Sequence, residues 1–204
     1  MQDITTLLAS IPPTESDKLL LSMGFNLAAE YFEILSHATI NNQEPILELA
    51  TGTGRMVAVL TRLGYDVETG DVSMNDREQA EVRIGKQYLH KVKFLTLNME
   101  SLNFNSGNFS AVISMNTFHH LDNPEACLQE IIRVHSGNNS LIIGDFNATG
   151  FSELQKVHQI LYRNDHPRGK MNMVELKQHL ESQYYEVKEI HTQLNVALIA
   201  KNKK

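Results

Sequence analysis

Between residues 46 and 146 short apolar runs alternate with amphipathic stretches of helical length. The runs are bounded by Gly, Asn and Asp, and they predict strands over 46–50, 66–71, 92–97, 109–115 and 139–146. Helices are expected between them over 54–64, 74–89 and 124–135. Gly64 stops the first, and Asn123 with Pro124 caps and starts the last. The link from 97 to 109 is polar, with Asn103, Asn105, Ser106 and Gly107. Strands alternating with helices imply βαβ units, a parallel sheet and right-handed crossovers.

The pattern differs at both ends. Residues 1–14 are polar with a Pro12-Pro13 pair and read as an irregular lead-in. From Glu15 to His37 apolar residues recur at helical spacing (Leu19, Leu20, Met23, Leu27, Tyr31, Leu35), with Gly24 as a break. After residue 146, helices over 151–163 and 172–183 flank a turn-rich loop, Asn164 to Lys170. Strands over 184–191 and 194–200 close the chain, and so short a turn between them makes them antiparallel. No linker or repeat divides the 204 residues, so a single domain is expected.

Composition narrows the function. A formal net charge of −6 disfavours a nucleic-acid partner, since such proteins carry a basic field. No apolar run approaches membrane-spanning length, and Met1 to Thr6 shows no basic segment before an apolar core. Cys127 is the single cysteine, which excludes an internal disulfide and any Cys-based metal motif. A cytoplasmic location is the default expectation.

The candidate chemistry lies at the end of the first strand. In Glu48-Leu49-Ala50-Thr51-Gly52-Thr53-Gly54 an apolar run meets two glycines and a helix start. Glycine there permits φ > 0 and close approach of a ligand to the main chain. Seventeen positions past Gly54, Asp71 ends the second strand, with Val72 next to it. In nucleotide-binding α/β folds an acid at about this distance accepts hydrogen bonds from a ribose. Val57 stands where a dinucleotide reductase would place a third glycine, so the turn suits a pyrophosphate less well.

Taken together, the glycine turn, Asp71, the Asn98-Met99 turn and the terminal hairpin resemble the class I S-adenosylmethionine (SAM)-dependent methyltransferases, in particular their small-molecule, ubiquinone-methyltransferase-like group. The resemblance implies an α/β fold with a Rossmann-like seven-stranded sheet, five strands parallel and a C-terminal antiparallel hairpin, with helices on both faces. It implies SAM as cofactor, S-adenosylhomocysteine (SAH) as product, and cofactor contacts from Glu48, Ala50, Gly52, Gly54, Asp71, Val72, Asn98, Met99 and Met115. Residues 1–40 would form a helical lid, and 147–183 a segment covering the substrate. Two positions depart from the family pattern. Ala50 replaces a glycine, which calls for φ < 0 there, and Asn98 replaces an acid while keeping an amide able to meet an adenine.

His119 and His120 follow the fourth strand, at the carboxyl edge where ligands bind in open α/β sheets. Either is a candidate base toward an acceptor hydroxyl or amine. Metal binding is not expected, because adjacent histidines point apart and no third acidic ligand lies nearby in the chain. The sequence at 114–118, Ser-Met-Asn-Thr-Phe, lacks the Pro-Pro-aromatic pattern of base-modifying methylases, which favours a small-molecule acceptor. Two rival readings are a SAM-binding partner or regulatory protein without turnover, with a dimer-forming N-terminal face, and an NAD-binding reductase.

Overall fold

The computed structural model describes residues 3–73 and 75–204. Its strands are β1 (Ile46–Leu49), β2 (Val67–Asp71), β3 (Val92–Thr96), β4 (Val112–Met115), β5 (Leu141–Phe146), β6 (Tyr184–His191) and β7 (Asn195–Lys203). They form one sheet in the order β3-β2-β1-β4-β5-β7-β6. β1 to β5 are parallel, and β7 runs antiparallel to both β5 and β6. The expected α/β sheet of five parallel strands and a terminal hairpin is therefore the fold. Because β2 lies on one side of β1 and β4 on the other, the chain reverses direction across the sheet at β1, and a crevice opens at the strands' carboxyl ends.

Alternation within the strands builds two cores. Ile46, Ile113, Ile142 and Ile199 face α3 (Leu27–Ser36), α4 (Arg55–Arg62) and α5 (Arg77–Ile84). Their neighbours Leu47, Val112, Leu141, Ile143 and Leu198 face α6 (Pro124–Val134) and α8 (Met173–Gln183). A one-residue step switches the face because side chains alternate along a strand. A third, smaller cluster joins α2 (Glu15–Ser22) to α7 (Ala148–Leu161) through Leu20, Leu154 and Val157.

The N-terminal part is more regular than its sequence suggests. A short helix, α1 (Ile4–Ala9), occupies the segment expected to be irregular, and Gly24, with φ of 92°, separates α2 from α3 as its position implied. Thr14 and Asp17 cap α2 reciprocally. Asp17 also accepts from Arg55 at 2.7 Å and from the buried guanidinium of Arg83. Burial lowers the Arg83 pKa to about 10. This ionic cluster fastens α2 to α4 and α5. On the opposite side the buried Glu30 carboxylate accepts from Leu194 N–H at 3.0 Å and from Asn195 at 2.7 Å, which ties α3 to the β6–β7 turn.

Several boundaries differ from those expected. β4 begins at Val112, because Phe109 makes only an isolated bridge to His135. α5 spans Arg77–Ile84, within the expected 74–89; Met74 lies outside the described residues. α7 begins at Ala148, where the Asn147 side chain accepts from Gly150 N–H. No helix is long and apolar enough to cross a membrane among the described residues.

Candidate active site

The crevice at the carboxyl ends of β1, β2 and β4 holds a cavity of about 530 Å³. Ala50, Gly52, Asp71, Val72, Asn98, Met99 and His120 line it, so seven of the sequence-nominated residues meet there. The volume suits a ligand of nucleoside size.

The turn after β1 is ordered by Asp71. Its carboxylate accepts from Gly52 N–H at 3.1 Å and from Val72 N–H at 2.7 Å. Gly52 takes φ of 46°. Gly54 has another task than meeting a ligand. A Cβ on it would lie 2.9 Å from the Ala80 Cβ, so this glycine lets α4 start against α5. Ala50 departs from the expected negative φ. It sits at φ of 67°, held there as its N–H bonds Gly70 C=O at 2.9 Å, and this left-handed conformation costs a non-glycine residue about 1 kcal/mol.

Glu48 lies beneath the turn rather than on the cavity wall. It is 3% exposed and accepts from the Thr69 hydroxyl, which itself is 2.6 Å from the Thr51 hydroxyl. Burial, opposed by the Thr69 bond, raises its pKa from 4.5 to about 7. Met115 is likewise behind the wall, packed on Gly144 of β5, whose absent Cβ makes room for its sulfur. Asn98 directs its carbonyl oxygen to Glu100 N–H at 2.9 Å, which leaves its amide nitrogen free to donate.

His119 and His120 occupy a 3-10 turn (Phe118–His120) at the end of β4. The two rings do not diverge: their centroids are 4.0 Å apart. His119 is buried, and its Nδ1 lies 2.6 Å from Asp145 Oδ1 while its N–H donates to Asp145 Oδ2 at 3.0 Å. His120 reaches the cavity. Partial desolvation, with His119 beside it, pushes its pKa down to about 4. A third imidazole, His166, arrives from the loop after α7, its centroid 4.8 Å from that of His119.

Sequence reasoning missed Asn116 and His166. Asn116 follows β4 directly, takes φ of 55°, lines the cavity and donates to the Tyr31 hydroxyl at 3.0 Å. Its place after a strand at the switch point was a usable signal. His166 lies in the 147–183 segment expected to cover the substrate, but no local pattern singled it out.

Residues 47–143 match the family described as methyltransferase domain. Over that stretch the chain is similar to methyltransferase domains. Solved structures share its fold. YcgJ of Bacillus subtilis is 16% identical, with a TM-score of 0.64 over 80% of this chain and 70% of that one. A SAM-dependent methyltransferase of Aquifex aeolicus is 16% identical, with a TM-score of 0.57 over 98% of each chain. The glycopeptide N-methyltransferase MtfA, in complex with sinefungin, is 12% identical with a TM-score of 0.65, covering 86% of this chain and 93% of that one. No curated protein sequence matches the chain.

Proposed function

We propose that the methyltransferase domain binds SAM in the 530 Å³ cavity and transfers its methyl group to a small-molecule acceptor. The observation that carries this reading is the charge of the cavity wall. Asp71, Glu100 and Asp122 line it, and no Lys or Arg does among the described residues. Such a wall favours a ligand bearing a sulfonium and an ammonium and disfavours phosphates or a nucleic-acid backbone. The turn agrees, because the Gly52 N–H that a pyrophosphate would require is already held by the Asp71 carboxylate. An NAD-binding reductase is disfavoured on the same ground.

In this reading Asp71 keeps lone pairs for the ribose hydroxyls, and the Asn98 amide donates to an adenine nitrogen. Met99, Leu97 and Leu121 supply apolar contact to the base. Ala50 and Gly52 bring the main chain against the methionine moiety, with Glu48, Gly54 and Met115 supporting that wall from behind. SAM supplies an electrophilic methyl that a nucleophile attacks in line. The chain contributes proximity, alignment and exclusion of water.

His120 is the imidazole placed to meet an acceptor, with His119 and Asp145 behind it. With its pKa near 4, His120 stays neutral at pH 7 and is too weak a base for an unactivated hydroxyl. In this reading α3 supports the cavity through the Tyr31–Asn116 bond, and the loop carrying His166 covers the acceptor side. A dimer face on the N-terminal helices remains an expectation for sedimentation to examine.

Calorimetric titration with SAH and with NADH tests the reading. SAH alone should bind at micromolar affinity, weakened about tenfold, or 1.4 kcal/mol, in Asp71→Asn, which keeps the side chain's size. Binding of NADH alone, or of neither ligand, would overturn it.

A further inference from the structure

We propose that His119, His120 and His166 form a binding site for one borderline divalent transition-metal ion of the Zn²⁺ or Co²⁺ kind. One nitrogen from each ring lies within 4.8 Å of the others. Two of these rings carry buried nitrogens with no partner: His119 Nε2 and His166 Nδ1. Both residues are more than nine-tenths buried, at 3% and 8% exposure. A buried ring nitrogen without a partner is costly, and here there are two. A cation between them satisfies both.

The tautomer of His119 supports the assignment. Its Nδ1 faces the Asp145 carboxylate, which also accepts Phe146 N–H at 2.8 Å and so holds its position. The proton then sits on Nδ1, and Nε2 presents a lone pair. A carboxylate behind a ligating histidine is the arrangement that orients imidazoles on metals. Three imidazoles with no oxygen ligand select borderline transition metals over Mg²⁺ or Ca²⁺.

His166 is brought to the pair deliberately by its loop. Gln155 of α7 accepts from His166 N–H at 2.9 Å, and Lys170 reaches Asp122 at 3.0 Å. Gly169, at φ of 82°, lies so close that a Cβ would come 2.6 Å from the His119 Cα. Tetrahedral bonds of about 2.1 Å place the nitrogens about 3.4 Å apart, so the rings close by at most about 1.4 Å on binding. His120 is the exposed member and lines the cavity, which puts the open fourth position on the acceptor's side. A thiol or hydroxyl held there would give its proton to water, and its electron pair would form the bond to the methyl carbon as the carbon–sulfur bond of SAM breaks and SAH leaves. This last step rests on the function proposed above, whereas the metal site does not.

The test uses the whole chain, dialysed against EDTA and titrated with cobalt(II) chloride. About one Co²⁺ per chain should bind with the visible absorption of a four-coordinate ion, and Zn²⁺ but not Mg²⁺ should displace it. His166→Ala, on the loop, and His120→Gln, at the exposed position, should each weaken binding at least tenfold. His179→Ala, on the exposed face of α8, should leave it unchanged. Cobalt binding equal in wild type and both site variants, or no cobalt signal at all, would overturn the inference and leave water as the partner of both nitrogens. SAH titration of the metal-free protein separates the two readings. Cobalt without SAH binding removes methyl transfer alone, and SAH binding without cobalt removes the metal alone.

Discussion

Glu48→Gln isolates the buried carboxylate at the end of β1. In the folded chain burial holds its pKa near 7, against an ordinary 4.5 that the unfolded chain restores. That gap, at about 1.4 kcal/mol for each pH unit, is worth about 3 kcal/mol. The sign follows from proton uptake. Between pH 4.5 and 7 the folded protein holds a proton that the unfolded chain releases, so stability falls as pH rises. The contribution is complete below pH 4.5 and gone above about 7. Glutamine has the same shape, still accepts from Thr69, and does not titrate. Urea unfolding of both proteins at pH 5, 6, 7 and 8 gives the difference directly. Wild type should lose about 2.5 kcal/mol relative to Glu48→Gln across that range. A difference constant within about 0.5 kcal/mol, or a wild type that gains on the variant as pH rises, would refute the reasoning. The second result would mean that the ionised carboxylate has a favourable partner in the fold.

Three further substitutions test the frame around the cavity. Ala50→Gly should raise stability by about 0.5–1 kcal/mol in urea melts, because relief at φ of 67° outweighs the added freedom of the unfolded chain. Gly54→Ala should cost about 2 kcal/mol, and pairing it with Ala80→Gly should recover part of that loss, since the clash is with the Ala80 Cβ. Asp17→Asn leaves the Arg83 guanidinium buried without its counter-charge and should cost about 3 kcal/mol by the same assay. A loss under 1 kcal/mol would mean that water reaches Arg83.

What the sequence disclosed follows from how local each signal is. The parallel strands were legible because each is a short apolar run bounded by turn residues, and the terminal hairpin because its turn is too short for a crossover. α1 was hidden, since six residues with Thr5 and Thr6 among them are too few to show a period. Gly52 and Asp71 were legible as a spaced pair, and they do meet at one hydrogen bond. Ala50 was misjudged because the conformation of the turn, set by bonds to Gly70, overrides the preference of alanine. Gly54 looked like a ligand contact because a glycine needed for helix packing reads the same as one needed for a ligand. His166 and Arg83 were silent for a different reason. Each acquires its role from a partner far along the chain, His119 and Asp17 respectively, and no periodic pattern records such a pairing.

The bond from Gly52 to Asp71 has a consequence for how a ligand enters. Where a binding loop is ordered only as the ligand arrives, part of the interaction energy goes into ordering it. Here the carboxylate has closed the loop beforehand, so that entropic cost falls on folding instead. The site is preorganised. If SAM binds as proposed, cofactor and product would meet the same preformed turn, and exchange between them would need no rearrangement of it.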